Sequence, residues 1–126
     1  MREIAKMRWN LPFFRNSPGA SMDDQLQSDV CARYLKALSE PDRLKIIQCL
    51  QNGPKNVTEL ADLLGRELVN VSHHLGVLRH ASLVQDEKQG KFVVYSLHPS
   101  VLAKRKKNEQ GKEILDLGCC RLEWET

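Results

Sequence analysis

Apolar residues follow a helical rhythm through the first two thirds of the chain. In residues 24–40, Leu26, Val30, Leu35 and Leu38 recur at helical spacings, which predicts an amphipathic helix that ends before Pro41. "SEPDRLKIIQCLQNG" then predicts a second helix, with Ser39 as N-cap, Pro41 in its first turn and Gly53-Pro54 closing it. Cys49 flanks Ile46, Ile47 and Leu50 there and reads as a small buried hydrophobe. In "VTELADLLG", Thr58 is the N-cap candidate for a two-turn helix carrying Leu60, Ala61, Leu63 and Leu64, stopped by Gly65. The next stretch, "LVNVSHHLGVLRHASLV", places Val71, Leu75 and Leu78 at i, i+4, i+7. Those residues face inward, leaving Asn70, Ser72, His73, His74 and Arg79 on the outer face.

A short helix, a tight turn and a longer helix with a polar outer face predict a helix-turn-helix, whose second helix suits the major groove of DNA. The rhythm then changes. "LVQDEKQGKFVVYSLHP" has two runs rich in Val, Phe and Tyr around "EKQGK", a β-hairpin with Gly90 in its turn. Directly after a recognition helix, such a hairpin is a wing. Its tip, Lys88, Gln89 and Lys91, is placed to meet phosphate or the minor groove, with Phe92, Val94 and Leu97 anchoring the strands. From Ser100 a last helix is expected, with Val101 and Leu102 near its start and Ile114, Leu115 and Leu117 near its end, Gly111 weakening its middle. The run "KRKK" reads as a solvated face.

Composition sharpens this picture in two places. At 126 residues, 41% of them hydrophobic, the chain can build one cored domain. The excess of 19 Lys+Arg over 16 Asp+Glu is too small to indicate a polyanion partner by itself. Residues 65–107, however, carry eight basic side chains against three acidic ones and all four histidines. Residues 1–22, with two prolines and "NSPGAS", read as a flexible N-terminal arm. No run approaches the roughly 20 apolar residues of a membrane span, and no secretory signal is evident, so a cytoplasmic protein without a membrane partner is expected. Its four cysteines, at 31, 49, 119 and 120, should then be reduced. A small thiol oxidoreductase would need a Cys-x-x-Cys pair or a nucleophile beside a base. The sequence shows neither, which argues against an enzyme.

In order and spacing, "ALSEPDRLKIIQCL", "VTELADLLG", "VSHHLGVLRHASLV" and "GKFVVYSLHP" resemble the ArsR/SmtB family of winged-helix repressors, over about residues 30–99. The resemblance implies a mostly α fold with a small β wing. It also implies a homodimer held by the first and last helices, and binding to inverted-repeat operator DNA that is released by a metal ion or thiol-reactive species. On this reading residues 23–118 are the DNA-binding and dimerisation domain, and 119–126 a tail carrying the cysteine pair. Base-edge contacts fall on Asn70, Ser72, His73 and His74, with Arg79 toward the phosphates. The chain departs from the family at Leu68 and Val69, positions that are often polar there. Two family metal sites are also missing: a Cys-x-Cys pair would fall on Asn56 and Thr58, and an Asp-x-His pair on Pro99 and Val101.

That leaves "EILDLGCCRLEWET". Adjacent helical residues point about 100° apart, so one core face would not bury both Cys119 and Cys120. Soft thiolates select thiophilic metals. Trivalent arsenic or antimony, which takes three sulfurs in a pyramid, fits the pair as inducer, as does another thiophilic metal. Cys31 is the third sulfur in this reading and a half-buried helix residue in the other. The alternative within regulators is a thiol-redox or persulfide switch, in which Cys49 would be the partner of a C-terminal cysteine.

Overall fold

The computed structural model describes residues 4–9, 28–102, 106–107, 111 and 113–125. The chain divides into two compact units, Tyr34–Pro99 and Met1–Arg33 with Ser100–Thr126. The start of the expected first helix, with Leu26, lies outside the described residues, as do Lys104 and Arg105 of the basic run.

The 34–99 unit is a winged helix-turn-helix. The last residues of α1 (Ser28–Leu38) lead into α2 (Pro41–Leu50), β2 (Lys55–Asn56), α3 (Val57–Leu64), α4 (Leu68–His80), β3 (Val84–Gln89) and β4 (Phe92–Leu97). Ile46 and Ile47 of α2, Leu60 of α3, Val71, Leu75 and Leu78 of α4, and Leu83 are all at 0% exposure. Burial of each such side chain contributes about 1.5–3 kcal/mol before chain entropy is charged against it. Helical spacing thus selected the inward face of α4 correctly, whereas Leu63 of the apolar set on α3 is 60% exposed.

Helix ends differ in detail from expectation. The N-cap of α3 is Asn56, not Thr58: Asn56 Oδ1 accepts from Glu59 N–H at 2.8 Å, and Glu59 Oε1 accepts from Asn56 N–H at 3.1 Å. This reciprocal pair satisfies two otherwise orphaned donors, which a threonine two residues further in cannot do. Gly65 ends α3 at φ +66, the left-handed conformation that favours glycine. Ser39 does not cap α2, whose N-cap is Glu40. Its hydroxyl instead donates back to the Lys36 carbonyl (2.7 Å), closing α1.

The wing has three strands where two were expected, in the order β2-β4-β3. The short β2 pairs with β4 through Lys55↔Tyr95 and Asn56↔Val94, tying the wing to the start of α3. Gln89 pairs with Phe92, so Gly90 (φ +61) and Lys91 form a two-residue turn. Leu97 anchors the hairpin at 1% exposure. Phe92 does not. Beside the turn it is 55% exposed, because the turn end of β3 opposite it, Lys88 and Gln89, is polar and exposed.

The other unit overturns two expectations. The helix foreseen from Ser100 to the cysteine pair is a single turn, α5 (Pro99–Leu102). It gives way to β5 (Lys106–Lys107), β6 (Glu113–Asp116) and β7 (Cys120–Glu125). A run of like charges followed by Gly111, at φ +79, disfavours helix. Beyond it, burial alternates with period two: Cys120, Leu122 and Trp124 are buried, Arg121 and Glu123 half-buried. Nor is the N-terminal arm wholly irregular. Its residues Ile4–Trp9 form β1, antiparallel to β7 from Ile4↔Glu125 to Trp9↔Cys120. Residues 10–22 of the arm lie outside the described residues. The strand order is β1-β7-β6-β5, so residues expected to be a tail form an interior strand.

Candidate DNA-recognition face and thiol cluster

Helix α4 presents Asn70, Ser72 and His73 to solvent, all exposed, while the i, i+4, i+7 residues behind them are sealed in the core. The wing tip, Lys88, Gln89 and Lys91, is likewise exposed. These six positions, with Gly90 between Gln89 and Lys91, form a polar and basic surface suited to a groove and its phosphates.

Two residues read from sequence as DNA contacts are engaged within the protein. His74 turns inward, its side chain only 14% exposed. Arg43 Nη1 lies 3.2 Å from His74 Nδ1, and Asp42 Oδ2 lies 3.9 Å from His74 Nε2. A guanidinium can only donate, so Nδ1 is the acceptor in this contact. Asp42, in the first turn of α2 and buried, also accepts from Arg66 Nε at 3.0 Å. Arg43 Nε donates to the Ala37 carbonyl. His74 therefore holds α4 against α2, and a base contact by its ring would require breaking this arrangement. The helical phase explains it: position 74 adjoins Leu75 at the edge of the buried stripe. Arg79, still 56% exposed, donates to Asp86 Oδ2 on β3 at 3.1 Å, linking the recognition helix to the wing.

The clustered groups Glu40, Asp42 and His74 have a spacing that would suit a cation. Arg66 and Arg43 already occupy Asp42 and His74 Nδ1, which explains the cluster as an internal ion-pair network.

The second constellation is built of sulfur. Cys31 on α1, Cys119 in the β6–β7 turn and Cys120 at the start of β7 lie with their sulfurs within 4.8 Å of one another, all buried. Cys31 and Cys119 are joined as a disulfide, with Cα atoms 6.0 Å apart. Cys120 Sγ is 3.9 Å from each of the other two sulfurs. The turn that presents the pair is tightly made. Asp116 Oδ1 accepts from Gly118 N–H at 2.8 Å, Gly118 takes φ +94, and Leu117 N–H donates to the Cys120 carbonyl at 2.9 Å. At such a turn neighbouring side chains converge, as they would not on a helix. Burial, and secondarily the Asp116 carboxylate, push the Cys120 thiol above its ordinary pKa. Cys49 is half-buried on α2 and takes no part in this cluster.

A three-helix core with a β wing, a polar recognition helix and a basic hairpin tip define a winged helix-turn-helix protein of the DNA-binding regulator class. Comparison with known proteins agrees. A family described as a helix-turn-helix domain matches residues 38–87. NmtR, an HTH-type transcriptional regulator of Mycobacterium tuberculosis, is 45% identical over 89 residues, 71% of this chain and 73% of that protein. Mb0332 of Mycobacterium bovis, solved as a homodimeric winged helix-turn-helix DNA-binding domain and a possible ArsR-family regulator, superposes at TM-score 0.59 with 28% identity, covering 70% of this chain and 82% of that one. A possible transcriptional regulator for arsenical resistance is 37% identical at TM-score 0.53, covering 56% and 74% respectively. The chain belongs to the ArsR/SmtB family of winged-helix transcriptional regulators. Among the described residues, no helix is long and apolar enough to cross a membrane.

Proposed function

We propose that this protein is a homodimeric transcriptional repressor that binds an inverted-repeat operator and is released when trivalent arsenic or antimony binds Cys31, Cys119 and Cys120. The carrying observation is the convergence of three buried sulfurs within 4.8 Å of one another. Arsenous acid and three thiols condense to a neutral trithiolate: three As–S bonds form, three As–O bonds break, and the thiol protons leave with the hydroxyls as three waters. Neutrality suits a buried site. A divalent cation on three thiolates would leave a net negative charge there, and Cys120 already resists becoming a thiolate. The Cys31–Cys119 disulfide must be reduced before the site can bind, as a reducing compartment would ensure. The similarity to a possible regulator for arsenical resistance lends further support.

Helix α1 carries Cys31 and runs on without interruption to Leu38, immediately before α2. A ligand that draws Cys31 toward the hairpin acts on this helix. A coupling of about 1–3 kcal/mol between inducer and operator would lower DNA affinity roughly 5- to 150-fold. The disulfide itself favours a second reading, a thiol-redox switch in which oxidation of Cys31 and Cys119 does the same work.

Titration of the reduced protein on its operator, followed by fluorescence anisotropy, tests both. Arsenite and antimonite should release the DNA at concentrations where zinc and cadmium do not. Release by an oxidant or persulfide donor alone would favour the redox reading. Release by zinc alone would overturn both.

A further inference from the structure

Leu68 and Val69 open the recognition helix α4 and are 53% and 71% exposed, although every apolar residue on its inner face is sealed. As adjacent helical residues they point about 100° apart, so they do not serve a single core seam. With Glu67 as N-cap they occupy the first helical positions, the end of a recognition helix that approaches base edges. Asn70, Ser72 and His73, all exposed, follow directly. Their hydrogen-bonding groups match base edges better than an apolar protein partner would.

Resting on the proposed DNA binding, we infer that Leu68 and Val69 read the C5-methyl group of a pyrimidine in the major groove. Thymine is its ordinary source and 5-methylcytosine the other. A pyrimidine C5-methyl is the one apolar group that base edges offer in that groove, and short apolar side chains recognise it by contact. Covering a group of that size changes affinity roughly fourfold. Both side chains are exposed, so replacing them leaves the core untouched.

The test begins by selecting binding duplexes from a random library with the full-length reduced protein. The selected sequence is then prepared with thymine, with uracil throughout, and with 5-methylcytosine at its cytosines. The parent should lose roughly fourfold on the uracil duplex for each methyl it covers. The double variant Leu68→Gln, Val69→Ser should bind the thymine and uracil duplexes equally. A gain on 5-methylcytosine without a loss on uracil would assign the methyl to cytosine. If the parent binds all three duplexes alike, the methyl contact is refuted while DNA binding stands. If no duplex is enriched at all, the DNA reading falls with it.

Discussion

Cys31 Sγ and Cys120 Sγ stand 3.9 Å apart although 89 positions separate them in the sequence. The β6–β7 turn adds Cys119 to the same cluster, so a first-helix residue and a C-terminal pair become one three-sulfur constellation. The proposed inducer site depends on that convergence.

Replacing both Cys119 and Cys120 by serine should leave operator affinity close to that of the parent and abolish release by arsenite. Cys31→Ser should shift the arsenite midpoint to higher concentration, since two sulfurs hold the ion less firmly than three. Anisotropy on labelled operator reads both outcomes. A double variant that still dissociates at the parent's midpoint would remove the cluster from the mechanism.

The raised pKa of Cys120 has two measurable effects. Alkylation by iodoacetamide should be slow at neutral pH and accelerate as pH rises. Asp116→Asn should speed it at a given pH, because it removes the carboxylate charge yet keeps an Oδ1 acceptor for Gly118. Because the folded state holds the proton more tightly than the unfolded one, the stabilisation is complete below the ordinary thiol value of about 8.5. It is lost as pH climbs through the folded value. With the Cys31–Cys119 disulfide intact, urea midpoints should therefore fall across that alkaline window, and less so for Cys120→Ser.

On the recognition face, His73→Ala or Ser72→Ala should cost about 1–3 kcal/mol against a selected operator and little against random DNA. Lys91→Ala, at the wing tip, should weaken both duplexes alike and lower the slope of log affinity against log salt by about one. His74→Ala should instead lower the unfolding midpoint, since its ring sits between Arg43 and Asp42. If His74→Ala changed specificity with stability intact, the inward placement of this ring would be wrong.

Stability of the helix-turn-helix can be graded at three positions by urea unfolding. Leu75→Ala, at a fully buried site, should cost about 2–5 kcal/mol. Asn56→Ala breaks the capping box and should cost about 1 kcal/mol. Around Gly65 an added Cβ meets nothing within 4 Å, so Gly65→Ala should cost only the backbone strain of a left-handed residue, about 1–2 kcal/mol.

By itself the sequence determined the winged helix-turn-helix. Its helices carry their information locally: Val71, Leu75 and Leu78 share a face because of the 3.6-residue period, and Gly65 marks a stop that only a positive φ allows. The hairpin around Gly90 was legible for the same reason. From Ser100 onward the sequence is ambiguous, because a few apolar positions there suit a helix as well as a strand. The alternation of Cys120, Leu122 and Trp124 was the signal for a strand. Pairing of β1 with β7 joins segments more than 110 residues apart, and no local period reports such a partner. Tertiary structure alone decided that His74 faces inward, because position 74 lies at the edge of the buried stripe, where Arg43 and Asp42 claim it. It alone decided, too, that Cys31 joins Cys119 and Cys120, since a sulfur cluster assembled from a helix and a hairpin turn is a property of their packing.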